Sequence, residues 1–494
     1  MYRCDWCGRK DEDSRGWVFP DRYEGTAYCS QKCAAQAANG GSTATGNAGS
    51  KQPISGETVK RQRQVRFFIT AAKNNDIEEL KSILRQGDVD IDDQIDGKTA
   101  LAEAIEAKNL DAADFLLSYG AKADGMAIWL TVKQRNFELL SRVIESIDVQ
   151  SRKKALNYRY KTLSTPLEAA FGSKEVDLRF IKLLVQNGAI VDLGDEIGYQ
   201  PIHRACYAGN LAIVKFLVEQ GADVSANSNS GKKPIHEACY SGNLALIKFL
   251  IDQGAEINPI GSFGDRPIHV ACDNGHLDLV KFFIENGVAV DVVNRDRQQP
   301  IHAACRSGNL ALVQFLVNQG ADPRVPGIRH QQPLHWACLS GKVPLVEYLV
   351  SLGVDINAKS DSSTLPIHYA YESGNQALVE FLISRGVDND NPLEEDGRSL
   401  LHYACKGGNL ALVKSLVKAG ASISQKTDSG WQPIHDATEG GHIDVLKFLV
   451  AKGADVNAET EYENRPLTVL DDDCRADWTI KQEIREFLES RGAT

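Results

Sequence analysis

The chain has 494 residues, of which 43% are hydrophobic and 24% charged, and its formal net charge at pH 7 is −11. These proportions are ordinary for a soluble protein. No run of 18 or more apolar residues occurs, which excludes a membrane-spanning helix, and the polar N-terminal residues MYRCDWCGRKDED lack the apolar core of a secretory signal. We therefore expect an intracellular protein of the reducing cytoplasm.

The charge is unevenly distributed. Residues 1–66 hold 11 Lys and Arg against 7 Asp and Glu, a formal +4. Subtracting these from the totals of 55 and 66 leaves 44 against 59, or −15, for the rest of the chain. Because an acidic surface repels phosphates, the long C-terminal part is not expected to bind nucleic acid. Contact with a polyanion would have to involve the N-terminal 66 residues.

Residues 1–38 contain four cysteines whose spacing suits a metal site. The first two flank a tight turn, and the second two lie at i and i+4 on one face at the start of a predicted helix, where the helix dipole favours thiolate. Four thiolates suit one tetrahedral Zn²⁺ and leave no position for a reactive water, which predicts a structural zinc ion. The Y-C-S-x-x-C segment resembles short treble-clef fingers of the MYND and TRASH kinds. The expected zinc ligands are Cys4, Cys7, Cys29 and Cys33.

Residues 39–56 have the Gly, Ser and Thr content of a flexible linker. Beyond them, residues 57–494 form a repeat array. Its early units are loose: 66–87 reads as an opening repeat, TALAEAI and TPLEAAF each keep a threonine at the start of a helix, and 126–147 reads as a degenerate repeat. The insertion SRKKALNYRYKTLS follows this degenerate repeat.

A Pro-Ile/Leu-His motif then returns at a nearly constant interval. QPIHRAC (200–206), KPIHEAC (233–239), RPIHVAC (266–272) and QPIHAAC (299–305) are each 33 residues apart, and the pattern continues to residue 471 with one spacing of 34. In each unit a proline opens a short helix, a Gly-Asn or similar pair breaks it, and an apolar second helix ends at a glycine. Neither helix can bury its apolar face alone, so a period near 33 predicts stacked helix pairs.

These residues, with G-N-L-A-L-V-x-F-L-V-x-x-G-A-D at 308–322, resemble the ankyrin repeat family over roughly residues 62–493. The resemblance implies an all-α repeat solenoid of about thirteen helix–turn–helix units with β-turn tips, preceded by the small zinc-binding module. It also implies binding of proteins on the concave face. The chain departs from the family where Gln, Lys, Arg, Leu or Ser replaces the usual threonine before the proline, which predicts weaker capping of the first helices.

The repeated histidines and cysteines could be interpreted as active sites. Equivalent positions in stacked helices lie about 8–10 Å apart, too far to share a metal ion or to form a disulfide. We therefore expect the cysteines at 206, 239, 272, 305, 338 and 405 to be reduced, buried packing groups. The resemblance implies that each histidine side chain forms hydrogen bonds with backbone groups of the turns. The structural histidines are His203, His236, His269, His302, His335, His368, His402 and His435.

A partner surface is expected where neighbouring repeats differ, because near-identical units share their core. The turn-tip and first-helix positions are rich in aromatic residues and arginine, the composition of interface hot spots. Arg295, Arg297, Arg306 and Arg329 are expected to form a basic patch in an acidic array, suited to an acidic partner segment. The partner-binding candidates are Tyr199, Tyr207, Lys232, Tyr240, Phe263, Arg295, Arg297, Arg306, Arg329, His330, Trp336, Tyr369 and Trp431.

No P-loop, G-x-S-x-G, H-E-x-x-H or kinase motif occurs, and the repetition of each His–Cys pair argues against catalysis. We therefore expect a non-enzymatic, intracellular scaffold or adaptor, with the zinc module as a second contact. Two alternatives stay open. One is a nucleic-acid-associated regulator that uses the basic N-terminal region with Lys60, Arg61, Arg63 and Arg66. The other is an inhibitor that occludes an enzyme or toxin.

Overall fold

The computed structural model describes residues 2–3, 10–11, 56–159, 164–172, 176–387, 393–474 and 476–494. The four cysteines of the expected zinc site lie outside these residues, so that site stays a prediction. Contacts divide the chain into two compact units, the first ending at Pro234 and the second running from Ile235 to Thr494.

The described part of the first unit is helical, with two short antiparallel strand pairs. Tyr2–Arg3 (β1) pairs with Lys10–Asp11 (β2), and Gln94–Ile95 (β3) pairs with Lys98–Thr99 (β4). Its helices are α1 (Gly56–Lys73), α2 (Ile77–Gln86), α3 (Ala100–Glu106), α4 (Leu110–Ser118), α5 (Gly125–Lys133), α6 (Phe137–Glu145), α7 (Val149–Leu156), α8 (Pro166–Ala169), α9 (Leu178–Gln186), α10 (Pro201–Tyr207) and α11 (Leu211–Glu219).

The second unit has the same alternation of a short first helix and a second helix. The first of its helices, α12, begins at Pro234, the last residue of the first unit, and its other residues lie in the second unit. Its helices are α12 (Pro234–Ser241), α13 (Leu244–Asp252), α14 (Pro267–Asp273), α15 (Leu277–Glu285), α16 (Pro300–Ser307), α17 (Leu310–Asn318), α18 (Pro333–Leu339), α19 (Val343–Ser351), α20 (Pro366–Glu372), α21 (Gln376–Ser384), α22 (Leu400–Gly407), α23 (Leu410–Lys418), α24 (Pro433–Glu439), α25 (Ile443–Ala451), α26 (Pro466–Asp472) and α27 (Trp478–Ser490). The predicted all-α repeat architecture is confirmed for the described residues.

One repeat shows why the sequence folds this way. Pro201 occupies the first turn of α10, where its missing amide hydrogen costs nothing. Asn210 then caps α11, because its side-chain oxygen accepts a 3.1 Å hydrogen bond from the Ile213 amide. Gly221 follows α11 with a φ of 94°, a left-handed conformation that glycine adopts without strain.

The opening repeat begins earlier than its sequence pattern indicated. The looser motif placed it at residue 66, whereas α1 begins at Gly56. The added turns contain the good helix formers Lys60, Arg61 and Gln62, and Val65 is their buried apolar side chain. Residues 151–156 of the expected insertion lie in α7, whose Leu156 is fully buried.

The core lies between the paired helices of each repeat and between successive repeats. In the repeat at 300–318, α16 buries Ile301, Ala304 and Cys305, and α17 buries Leu312 and Leu316. The repeat cysteines are free thiols, as predicted, and burial raises the pKa of the Cys305 thiol well above its usual range. They therefore act as small apolar side chains. Within the described residues, no helix combines the length and apolarity that crossing a membrane requires.

Candidate protein-binding surface

The repeat histidines are held by backbone groups. In the repeat at 299–305, the Gln299 amide donates a 3.0 Å hydrogen bond to His302 Nδ1. Because an amide can only donate, Nδ1 must be the unprotonated nitrogen, and Nε2–H then donates to the Val325 carbonyl at 3.1 Å. His435 repeats the arrangement with Gln432 and Ala458. The same two contacts join the start of a first helix to the loop that leads into the next repeat at His203, His269, His302, His335, His402 and His435.

The bond to Nδ1 does not replace the missing threonine cap; it takes the place of the bond to the Glu168 carboxylate, which accepts a 2.6 Å hydrogen bond from the Thr165 amide. In the first unit, Thr99 and Thr165 accept hydrogen bonds from the amides of Ala102 and Glu168 in the usual manner. In the later repeats the histidine ring accepts a hydrogen bond from the amide of the residue before the proline, so that amide is satisfied from inside the repeat.

The same histidines are poorly suited to acid–base chemistry. Burial lowers the pKa of His302 to about 4 and that of His402 to about 3, so both stay neutral near pH 7. Within the part of the chain that the structure describes, no group of three or more His, Cys, Asp or Glu side chains is placed to hold a metal ion.

The residues directly after successive histidines form a row across the first helices of the second unit. The rings of Trp336 and Tyr369 lie 6.4 Å apart, and those of Tyr369 and Tyr403 lie 6.3 Å apart. Arg306 covers the Trp336 ring at 5.1 Å, and Arg398 lies 5.8 Å from the Tyr403 ring. We call these five side chains the aromatic row. Stacked arginines and aromatic rings offer large, rigid contact area.

Hydrogen bonds between repeats hold the aromatic row in place. Gln331, two residues before its repeat proline, donates from Nε2 to the Tyr369 hydroxyl at 2.5 Å. The Tyr403 hydroxyl donates to Glu394 Oε1 at 2.7 Å. Burial raises the pKa of Tyr369 to about 12, so its hydroxyl stays protonated. The indole N–H of Trp336 has no acceptor among the described residues, although a ring that served packing alone would normally have one.

A second set of candidates lies at the tips of the turns. Phe263 is 69% exposed, and Arg295, Arg297, Arg329 and His330 are also exposed. None of the three arginines forms an ion pair with a carboxylate in the described segments. His330 differs, because its Nδ1 lies 2.5 Å from Asp361 Oδ1.

The structure divides the expected basic patch between two places. Arg295, Arg297 and Arg329 are at turn tips, whereas Arg306 lies on helix α16, where it bonds to Asp273 at 2.6 Å and covers Trp336. Arg306 therefore belongs to the aromatic row, and its charge is already balanced.

Comparison with known families decides the identity of the fold. A family model described as ankyrin repeats (3 copies) matches residues 128–228, 167–261, 235–327, 268–360, 301–392 and 367–460. Together these matches run from 128 to 460, which is 333 of the 494 residues. The chain belongs to the ankyrin repeat family. Ankyrin repeats are generally protein–protein interaction modules and are typically not enzymes. A comparison with curated proteins finds no match.

The remaining candidates occupy other repeats of this ankyrin chain. In the first unit, the Tyr199 ring lies 5.2 Å from that of His203, Tyr207 is exposed at the end of α10, and the Lys232 carbonyl lies 3.2 Å from His203 Nε2. In the second unit, Tyr240 and Trp431 are half-buried, and the Trp431 ring lies 5.0 Å from that of His435.

Sequence reasoning missed two members of the aromatic row, Tyr403 and Arg398. Tyr403 follows His402 directly, as Trp336 follows His335, so the signal was present at the same repeat position. The 34-residue spacing and the leucine that replaces proline at 400 concealed it. Arg398 belongs to no sequence motif, and only the structure shows that it contacts the next repeat.

Proposed function

We propose that the protein is an intracellular, non-enzymatic scaffold or adaptor that binds a protein partner on the concave face of its ankyrin array. The aromatic row carries this proposal. The Trp336 and Tyr369 rings are half-buried rather than sealed in the core, the Tyr403 ring is buried, and cation–π contacts cover both ends of the row. Such pre-organised aromatic and arginine side chains are the groups that most often dominate protein interfaces. The buried, free cysteines support a reducing compartment.

We further propose that the partner presents an acidic segment to the turn tips next to the aromatic row. Arg295, Arg297 and Arg329 are exposed and unpaired with carboxylates in the described residues, although the array as a whole carries an excess of acidic residues. Isolated cations in an acidic surface favour an acidic partner segment, because they attract it during association and disfavour basic segments at the same place.

The zinc module is proposed as a second contact. Cys4, Cys7, Cys29 and Cys33 would hold one structural Zn²⁺ by the spacing argument, and residues 39–56 would act as its tether. Two linked contacts raise affinity because the second binds at a high effective concentration, with no change in either contact.

Affinity capture followed by mass spectrometry tests this function. Three full-length baits are compared: the unaltered chain, Trp336→Ala in the aromatic row, and Tyr348→Ala as a control. Tyr348 is a half-buried aromatic residue on the second helix α19 of the same repeat. We expect a partner that the unaltered chain and Tyr348→Ala retain and that Trp336→Ala loses. Equal recovery by all three baits would reject the aromatic row as the binding site.

One observation favours a second candidate function, the binding of nucleic acid by the basic N-terminal region. Lys60, Arg63 and Arg66 are exposed on α1, whereas Arg61 bonds to Asp93 at 3.1 Å. If this region binds phosphates, the affinity of the full chain for double-stranded DNA or RNA must fall steeply with salt, and Arg63→Gln must reduce that slope by about one. No binding at low salt would remove this candidate.

A further inference from the structure

The turn tips of the second unit form one edge. Each tip is a set of four residues that ends three residues before the repeat proline or its replacement. Backbone hydrogen bonds join five of the six neighbouring pairs of tips, and none is found between the tips at 294–297 and 327–330. The joined pairs include Arg295 N–H to Phe263 O at 2.9 Å, Asp361 N–H to Arg329 O at 2.8 Å, Asp428 N–H to Asp396 O at 2.7 Å and Glu461 N–H to Ser429 O at 2.9 Å. We call this edge the fingertip row. It comprises residues 261–264, 294–297, 327–330, 360–363, 394–397, 427–430 and 460–463.

The last residue of each fingertip has a left-handed backbone, and the chain itself shows which residue suits that position. Glycine occupies it at 264, 397 and 430, with φ between 77° and 80°. Arg297 and His330 occupy it in two other tips, each with a φ of 55°. A side chain with a Cβ is strained there, because it approaches the carbonyl oxygen. Arg297 and His330 therefore carry a conformational cost that Gly264, Gly397 and Gly430 avoid, and Ser363 and Glu463, with φ of 63° and 62°, share it.

Two tips are more unusual still. In 261–264 the third residue, Phe263, also has a positive φ of 53°, and in 327–330 the third residue, Arg329, has the same value. A turn with two left-handed central residues normally uses Asn-Gly, whereas these tips use Phe-Gly and Arg-His. The side chains project into solvent, so core packing does not explain them. Strain that persists at exposed residues points to a contact made by those side chains.

The charge of the fingertip row changes sign along its length. The tips at 294–297 and 327–330 hold three arginines against one aspartate. The next four tips hold seven acidic residues and no Lys or Arg. These acidic residues are Asp361, Glu394, Glu395, Asp396, Asp428, Glu461 and Glu463.

We propose that the fingertip row is a specificity-determining contact for an extended partner segment whose acidic and basic residues are segregated. The acidic part lies over Arg295, Arg297 and Arg329, with an apolar residue against Phe263, and the basic part lies over the tips at 394–463. This inference rests on the proposed function, because it describes a second line of contact beside the aromatic row. It adds the charge order that the partner must have.

The length of that segment follows from the repeat spacing. Seven tips have six intervals of about 10 Å, or roughly 60 Å. An extended chain rises about 3.3 Å per residue, so a segment of about 18 residues spans the row.

Synthetic peptides test the charge order directly. The probe is a fluorescent 20-residue peptide with a Phe-led block of glutamates, a Gly-Ser spacer and a block of lysines. Its comparator has the same composition with Glu and Lys alternating. Fluorescence anisotropy with the full-length protein at about 50 mM salt measures both affinities. We expect the segregated peptide to bind at least tenfold more tightly, because only its blocks match the two halves of the row. Equal affinities would overturn the proposal.

Glycine substitutions separate contact from backbone strain. Arg297→Gly removes both the side chain and the strained conformation, and Lys108→Gly, at an exposed cation with a φ of 61° outside the fingertip row, is the matched control. We expect Arg297→Gly to weaken binding of the segregated peptide about fivefold or more, while its thermal unfolding temperature is unchanged or raised. Lys108→Gly should have the same effect on the unfolding temperature and none on peptide binding. Unchanged binding by Arg297→Gly would overturn the proposal.

Two further outcomes separate this inference from its alternatives. If the full chain self-associates at low salt and Arg297→Gly abolishes the self-association, the occupant is a second copy of this chain, and the proposal of a separate partner is wrong. If the peptide experiments fail while Trp336→Ala still loses the captured partner, the proposed function stands and only the fingertip inference fails.

Discussion

Arg398 Nη1 lies 2.8 Å from Asp436 Oδ1, and this ion pair joins two successive repeats inside the second unit. The Asp436 side chain is fully buried, and that of Arg398 is 22% exposed. The two residues occupy the same repeat positions as Gln331 and Tyr369, which meet through a hydrogen bond. A charged pair here thus replaces the neutral polar pair found two repeats earlier.

Removing one member of this pair should destabilise the second unit strongly. Asp436→Ala leaves the Arg398 charge largely buried without its partner, and we expect the free energy of unfolding to fall by about 3 kcal/mol. The double variant Arg398→Gln/Asp436→Tyr recreates the neutral pair and should recover most of that loss. Urea denaturation monitored by circular dichroism measures both effects. A double variant as unstable as Asp436→Ala would show that the pair does not act as a unit.

Acid should destabilise the array through its buried histidines. The folded-state pKa of His302 is about 4, below the usual 6.5, so the unfolded chain binds more protons between those values. The stabilisation from the neutral ring is complete above pH 6.5 and is lost as the pH falls toward 4, by about 3 kcal/mol for this histidine. His402 acts in the same direction with a pKa of about 3.

Buried acids oppose this trend, because burial raises the pKa values of Asp124, Glu168 and Glu394, and Asp436 shows the largest effect. Burial raises the pKa of Asp436 to about 7, so its protonation stabilises the folded state as the pH falls toward 4. Because lowered pKa values recur at His203, His269, His335 and His435, the histidines outweigh these acids. We expect the urea midpoint of the full chain to be lower at pH 5 than at pH 7. A midpoint that rises toward pH 5 would mean that carboxylates such as Asp436 control the acid response.

Alanine at a fingertip glycine should cost more than alanine at a loop glycine of similar conformation. Gly264 has a φ of 77°, and a Cβ there would lie 2.9 Å from the Arg295 amide nitrogen. Gly287 has a φ of 87° with open space around a Cβ. We expect Gly287→Ala to lower the free energy of unfolding by about 1 kcal/mol and Gly264→Ala by about 2–4 kcal/mol, because overpacking adds to the backbone strain. Equal losses would show that the tips can separate without cost.

Metal analysis tests the zinc prediction. We expect freshly purified full-length protein to contain one zinc per chain and Cys4→Ser/Cys29→Ser to contain none, because two thiolates cannot complete a tetrahedral site. Cys206→Ser serves as the control, since Cys206 is a buried repeat cysteine that should not affect zinc content. Protein without zinc, or zinc that survives the double substitution, would contradict the prediction.

Most of the fold could be predicted because the same sequence pattern recurs in successive repeats. The motif around Pro201 and His203 recurs so often that proline, histidine and glycine positions define both helices and their ends. Helix α1 begins at Gly56, one residue before the predicted start of the array at residue 57, although the repeat motif itself begins at residue 66.

The candidate site was predicted less completely, because a row of contacts depends on which side chains meet across repeats. Trp336 and Tyr369 were identified by composition, but Arg306 was assigned to the basic patch although it bonds to Asp273. The strained backbones of Arg297 and His330 could not be read from residue types, since nothing local marks a left-handed arginine. The strain at Arg297 and His330 can be recognised by comparison with the glycines at the same position only once the dihedral angles are known.

The most direct test of binding through the aromatic row is the affinity of the captured partner for defined variants. Isothermal titration calorimetry would compare the unaltered chain, Trp336→Ala/Tyr369→Ala and Tyr348→Ala, with circular dichroism melting to confirm folding. We expect the double variant to bind at least tenfold more weakly and Tyr348→Ala to bind as the unaltered chain does. A folded double variant that binds the partner with unchanged affinity would contradict the account.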